Sequence, residues 1–166
     1  MLGKQHIVPC LHALDASYQT AEPDEAERFA KLAIIELCGW IEEAMDEIVR
    51  KCCQRHLKIQ TNIDYCNREI LERTYGFDYQ TNFRYMLVRL VGLVGVERIE
   101  NEVDPAKHHV LKSTLGNLRI VRNRVAHTHL RGATATLDAP SLTIRNFDRV
   151  YEGLLDFYRT MRRGGW

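Results

Sequence analysis

Apolar residues recur every three or four positions along most of this chain, which predicts helices rather than strands. The strongest pattern runs from about Pro23 to His56, where one continuous apolar stripe includes positions 26, 29, 30, 33, 37, 40, 41, 44, 45 and 48. Pro23 suits the first position of a helix, and Asp24 and Glu25 complement the positive end of its dipole. We therefore predict one long helix over this segment.

Less continuous patterns predict the other elements. Helices are expected over residues 8–18, 63–75, 79–93, 105–129 and 142–163. Asp78 and Asp104 stand where an N-cap is needed, and Gly76 and Gly92 interrupt the pattern. No repeat is present, and no two consecutive segments alternate strictly. The prediction is therefore all-α: an up-and-down helical bundle of four to five main helices with one long N-terminal helix.

The length of the chain bears on its organisation and location. Its 166 residues suffice for one domain with a substantial core, so residues 1–166 are expected to form a single helical-bundle domain. The longest apolar runs, 32–41 and 86–96, are shorter than the roughly 18–20 residues of a membrane span. No signal peptide is visible. We therefore expect a cytoplasmic protein.

The cysteines agree with that expectation. They are odd in number and form no Cys-x-x-Cys pair, which is typical of reduced thiols rather than of a disulfide framework. The alternative to free thiols is a metal site, with four candidate ligands: Cys52, Cys53, His56 and Cys66. They lack the paired short spacings of a zinc site, so no metal and no cofactor is expected.

Charge is distributed unevenly, although the net charge is only +1. Residues 22–47 contain nine acidic residues against Arg28 and Lys31. Residues 105–137 contain no acidic residue, but they hold six lysines and arginines and four histidines. A basic segment of this kind favours a polyanionic ligand over a neutral one.

Within the basic segment, Arg122 occupies an unusual position. It falls on an apolar stripe that includes Leu111, Leu115, Leu118 and Val125. Because a guanidinium is costly to bury unpaired, either a partner pairs with it or the stripe faces a wet cleft. Glu36, inside the apolar run of the long helix, is a candidate for a carboxylate that faces the basic helix. The simpler interpretation places Glu36 at an edge, in solvent.

Asn123 and His127 add candidate chemistry to Arg122. On a helix, Asn123 and His127 are roughly 40° apart, whereas Arg122 and His127 are about 140° apart. A site that uses all three needs a broad cleft or a second copy of the helix across a two-fold axis. Histidine transfers protons near neutral pH, arginine clamps a phosphate, and Asn orients either group. These groups suffice to cut RNA through its 2′-hydroxyl without a metal.

Arg122-Asn123-x-x-x-His127 on a late helix of a small all-α domain resembles the signature of the HEPN superfamily. The likeness includes the long early helix and the four-to-five-helix bundle, so it extends over most of the chain. The resemblance implies a metal-independent endoribonuclease with Arg122, Asn123 and His127 as catalytic residues. It also implies a homodimer with a composite active site, and a role as toxin or effector beside an antitoxin or defence-system partner. A modified tyrosine of one toxin branch is replaced here by His129, so that regulation is not implied.

Other residues and functions stay open. Arg119, Arg124 and His129 are candidate RNA contacts, and His129 is also a candidate second proton-transfer group. His108 and His109 are expected at the surface, and three tyrosines either stack bases or belong to the core: Tyr75, Tyr79 and Tyr85.

Two functions compete with the ribonuclease. One is a non-catalytic helical module that binds RNA or a protein partner, in which His127 is only structural. The other is an antitoxin or immunity protein whose acidic helix, residues 23–47, caps a basic partner.

Overall fold

The computed structural model describes residues 2–127 and 137–166, with only the backbone of His127. Within these ranges the chain forms six α-helices and two π-helical turns, and no strand is present. The α-helices are α1 (Ile7–Thr20), α2 (Pro23–His56), α3 (Gln60–Tyr65), α4 (Arg84–Glu102), α5 (Pro105–His127) and α6 (Pro140–Arg163). The π-helical turns are π1 (Cys66–Leu71) and π2 (Tyr79–Phe83). The all-α prediction is confirmed.

Helix α2 is the element on which the bundle packs. It has 34 residues and the predicted bounds, with Pro23 in its first turn. Its apolar stripe is buried, and Leu37, Ile41 and Met45 have no exposed surface. Helices α1, α4, α5 and α6 all contact α2, so the core forms around this stripe. The long helix is the second of the chain, because α1 precedes it.

Helix α5 begins and packs as its sequence predicts. The Oδ1 atom of Asp104 accepts hydrogen bonds from the backbone N–H groups of Ala106 and Lys107, which confirms the N-cap. The predicted apolar stripe is buried, with Leu111 and Leu115 fully enclosed. Helix α5 crosses α6 closely at Gly153, where a β-carbon would lie only 2.8 Å from the Cβ atom of Leu111.

The segment between α2 and α4 differs most from the prediction. Instead of one helix over residues 63–75, the chain forms the short α3 and then π1, which ends at Leu71. Asp78 caps π2 by accepting hydrogen bonds from the N–H groups of Gln80 and Thr81. Helix α4 is sharply kinked at Gly92, whose φ of 73° lies in the region that favours glycine.

The cysteine prediction is wrong for one pair. Cys53, near the end of α2, and Cys66, at the start of π1, form a disulfide. Because their sulfur atoms are bonded to each other, these two cysteines do not form the alternative metal site with Cys52 and His56. In the described ranges, Cys10, Cys38 and Cys52 remain free thiols. Over the same ranges, no helix has the length and apolarity that crossing a bilayer requires.

We predict opposite effects from alanine at two glycines of the α5–α6 region. Gly153→Ala should lower the free energy of unfolding by about 1–3 kcal/mol, because the added methyl collides with Leu111. Gly116→Ala, where nothing lies within 4 Å of the new atom, should raise it by about 1 kcal/mol through helix propensity. Urea denaturation of both variants measures the difference, and a Gly153→Ala protein at least as stable as the wild type would contradict the close crossing.

Candidate functional site

The last turns of α5 carry the three residues that the sequence singled out. The helix continues to His127, so Arg122, Asn123 and His127 stand on one uninterrupted backbone. Val125 is buried and Asn123 is exposed. Positions 123 and 127 are about one turn apart, on the face opposite Val125. Arg122 lies between this exposed face and the core.

Arg122 is half-buried and loosely paired. Its Nη2 atom lies 3.9 Å from Oε1 of Glu42 on α2, and the two side chains are 42% and 36% exposed. Its Nη1 atom lies 3.5 Å from Oδ1 of Asn123. A long ion pair this exposed to water contributes little, on the order of 0–1 kcal/mol. Arg122 can therefore exchange Glu42 for another anion at low cost.

The carboxylate that faces the basic helix is Glu42 rather than Glu36. Glu36 is exposed, as the simpler interpretation of the sequence expected. Glu42 follows the buried Cys38 by one helical turn, on the side of α2 that faces α5. Burial raises the pKa of the Cys38 thiol to about 12, and the nearby Arg122 guanidinium opposes that rise. The four-residue spacing places Glu42 on the same face of α2 as Cys38, which is visible in the sequence. That this face meets α5 is visible only in the packing of the helices.

Glu42, the ion-pair partner of Arg122, lines a cleft of about 360 Å³. Glu42 lines it together with Asp46 and Arg50 of α2, while π1 and the segment that follows form the other wall. Burial raises the pKa of Asp46 to about 6, and the neighbouring Glu43 adds to the rise while Arg50 opposes it. Of the two alternatives posed by the sequence, the structure shows the first, because Arg122 has a partner in Glu42.

The predicted RNA contacts are only partly placed by the structure. Arg119 is exposed, and its Nε atom lies 3.7 Å from Oδ2 of Asp78. Arg124 is also exposed. His129 lies outside the described residues. Lys107, at the start of the same helix, pairs with Glu152 at 2.8 Å. Acidic residues of neighbouring elements therefore offset part of the charge of the basic segment.

Two other groups of sequence candidates are now distinguished. His108 is half-buried rather than fully at the surface: it packs against the rings of Tyr79 and Phe157, and burial lowers its pKa. His109 is exposed, as predicted. Tyr79 belongs to the core, whereas Tyr75 and Tyr85 expose their rings and remain available for stacking.

Comparison with known proteins identifies no relative, because no protein-family model, curated protein or solved structure matches the chain. Within residues 2–127 and 137–166, no three potential metal ligands come together. The groups available for chemistry at the candidate site are therefore the residues at the end of α5 and Glu42.

The raised pKa of Asp46 predicts a pH-dependent gain in stability for Asp46→Asn. An unfolded aspartate titrates near 3.9, so the charged folded form costs free energy at pH 7. The variant should be more stable by about 1 kcal/mol at pH 7, after allowance for partial solvent exposure. The gain should shrink as the pH falls from about 6 towards 4, because the wild-type carboxyl then takes up a proton.

Thermal or urea denaturation at several pH values measures this effect. Glu97→Gln removes one negative charge from an exposed position and serves as the control, with an expected change below about 0.5 kcal/mol. A pH-independent gain in Asp46→Asn would contradict the assignment.

Proposed function

We propose that this protein is a metal-independent endoribonuclease of the HEPN type. The observation that carries the proposal is Arg122: a half-exposed arginine, weakly held by Glu42, on the same helix end as Asn123 and His127. An arginine with a purely structural role would be expected to have a closer, more buried partner. A loosely paired, half-exposed guanidinium is suited to an incoming phosphate.

The proposed reaction needs no group beyond these side chains and the RNA. His127 accepts the proton of a ribose 2′-hydroxyl, and the 2′-oxygen attacks the adjacent phosphorus. The bond from phosphorus to the 5′-oxygen breaks, and that oxygen receives a proton from the His127 imidazolium formed in the first step. Arg122 stabilises the charge that develops on the phosphoryl oxygens, and Asn123 orients the imidazole or the phosphate. The products are a 2′,3′-cyclic phosphate and a 5′-hydroxyl.

A homodimer with a composite active site accounts for the angle between Arg122 and His127. Ile120, Asn123 and position 127 follow one face of α5, and Ile120 is 67% exposed although it is apolar. An exposed isoleucine beside polar residues is suited to contact with a second copy of this helix. Arg122 of one copy would then approach His127 of the other across the two-fold axis.

The biological role in this proposal is that of a toxin or effector of a toxin–antitoxin or phage-defence system in the cytoplasm. Its ligand is RNA, and a defence-system protein is the expected regulator. The second candidate is a non-catalytic helical module that binds RNA or a protein. The pairing of Arg122 with Glu42 is the observation that supports this alternative, because an internal partner gives the arginine a role without substrate.

We predict that purified protein cuts a labelled structured RNA in excess EDTA and leaves 2′,3′-cyclic phosphate ends. His127→Ala and Arg122→Ala should each reduce the rate by about 10²-fold or more, because each removes a reacting or charge-stabilising group. Lys107→Ala, at the other end of α5, should cut like the wild type. Equal background cleavage by all four folded proteins would contradict the enzyme and favour the binding module.

We also predict a dimer in solution, measured by light scattering coupled to gel filtration. When Arg122→Ala and His127→Ala chains are mixed after unfolding and refolding, a composite site should regain about one quarter of wild-type activity. Half of the dimers are then mixed, and each mixed dimer has one complete site. A stable monomer, or inactive mixtures that do form mixed dimers, would contradict the shared site.

A further inference from the structure

A second cluster on the surface, away from the end of α5, combines one arginine and two tyrosines. Arg89 of α4 donates from Nη1 to the hydroxyl of Tyr85 at 3.0 Å and from Nη2 to the hydroxyl of Tyr65 at 3.1 Å. Its guanidinium carbon also lies 5.5 Å from the centre of the Tyr85 ring. We call these three residues the tyrosine–arginine cluster. The two tyrosines come from different elements, so the cluster depends on the fold.

In the part of the chain that the structure describes, no acidic side chain pairs with the positive charge of this cluster. Among the ion pairs between described residues, none includes Arg89. By contrast, Arg84, one turn earlier on α4, pairs with Glu100 at 2.9 Å. An arginine that is fixed by two neutral hydroxyls keeps its full charge in a set orientation. Such an arrangement favours an anionic ligand.

The hydrogen-bond donors and acceptors of the cluster also favour an anionic ligand. A guanidinium has five N–H groups, and Arg89 uses two of them on the phenols. Each phenol oxygen accepts one of these bonds, so its own hydrogen is directed elsewhere and can be donated. The cluster therefore offers only donors to a ligand: the remaining N–H groups and two O–H groups. Phosphate oxygens, which only accept, match this set.

The rings of the cluster add a feature that a simple anion would not use. Tyr65 is 52% exposed and Tyr85 is 46% exposed. Exposed aromatic rings beside an arginine are the arrangement by which proteins stack the bases of single-stranded nucleic acid. Tyr65 also directly precedes π1, whose Asn67 and Leu71 line the same cleft as Glu42, the partner of Arg122.

We propose that Tyr65, Arg89 and Tyr85 form a second binding point for single-stranded RNA, in which Arg89 holds a phosphodiester and the tyrosines stack the flanking bases. The choice of RNA as ligand rests on the proposed ribonuclease function. This contact lies apart from Arg122 and His127 and would hold the strand on one side of the site of cleavage. It assigns to the cluster a role in binding and none in the reaction.

The test measures binding without cleavage. A fluorescent single-stranded RNA of about 12 nucleotides is titrated with the His127→Ala protein, and fluorescence anisotropy gives the dissociation constant. Adding Arg89→Gln should weaken binding roughly tenfold and lower the slope of log K against log salt by about 0.7. Tyr65→Leu and Tyr85→Leu should each weaken it roughly fivefold or more through lost stacking. The corresponding phenylalanine variants should weaken it less.

Arg98→Gln, in the same background, is the matched control. Arg98 is an exposed arginine beyond the kink of α4, so this variant loses the same charge at another place. Circular dichroism and urea denaturation establish that every variant is folded. Equal weakening by Arg89→Gln and Arg98→Gln would overturn the proposal, as would an unchanged salt slope or absence of RNA binding by the His127→Ala protein. Displacement of the RNA by an acidic peptide as readily as by unlabelled RNA would instead indicate a protein partner and also overturn it.

The two proposals fail separately. If binding depends on Arg89 but the wild-type protein never cuts RNA, the ribonuclease function is wrong and the binding point stands. If the wild type cuts RNA but Arg89→Gln binds it normally, the binding point is wrong and the function stands.

Discussion

Burial of the apolar stripe on α2 is the interaction on which the other helices depend. Leu37, Ile41 and Met45 have no exposed surface, and a buried side chain of this size contributes about 1.5–3 kcal/mol. Four other helices share this stripe, so its register decides where each of them lies. The same helix carries Glu42 one turn after Cys38, which brings a carboxylate to Arg122. The packing of the core and the electrostatics of the candidate site therefore have one origin.

The acidic residues near the candidate site form only loose ion pairs with its arginines. Acidic residues of α2 and of the segment before α4 meet the basic helix through Glu42 and Asp78, both at the outer limit of ion-pair distance. Water and salt screen such pairs, so they orient the arginines more than they stabilise the fold. The raised pKa of Asp46 in the cleft that Glu42 lines comes mainly from burial, and the neighbouring Glu43 adds to the rise.

The sequence allowed the long helices to be predicted, because their apolar stripes are long and their ends carry Pro23 and Asp104. It did not allow the segment from residue 60 to residue 83 to be predicted, since π-helical turns have no period of their own and tertiary contacts set their ends. The sequence predicted that Arg122 has either a partner or a wet cleft, and a position facing the basic helix was one of two interpretations of Glu36. Choosing Glu42 required the crossing of α2 and α5. The disulfide between Cys53 and Cys66 and the tyrosine–arginine cluster likewise join distant residues that no short-range pattern links.

The kink at Gly92 divides α4 into two halves that run in different directions. In a straight helix, the Cα atoms of Arg84 and Glu100 would be about 24 Å apart, yet their side chains meet at 2.9 Å. Glu100 also accepts a hydrogen bond from the hydroxyl of the buried Tyr79, so a single carboxylate connects both halves of α4 with the core. The direction of the first half of α4, which bears Tyr85 and Arg89, thus depends on the backbone at Gly92 and on Glu100 as well as on the buried Met86 and Leu87. A change that straightened α4 at Gly92 would separate Arg84 from Glu100 and break their ion pair.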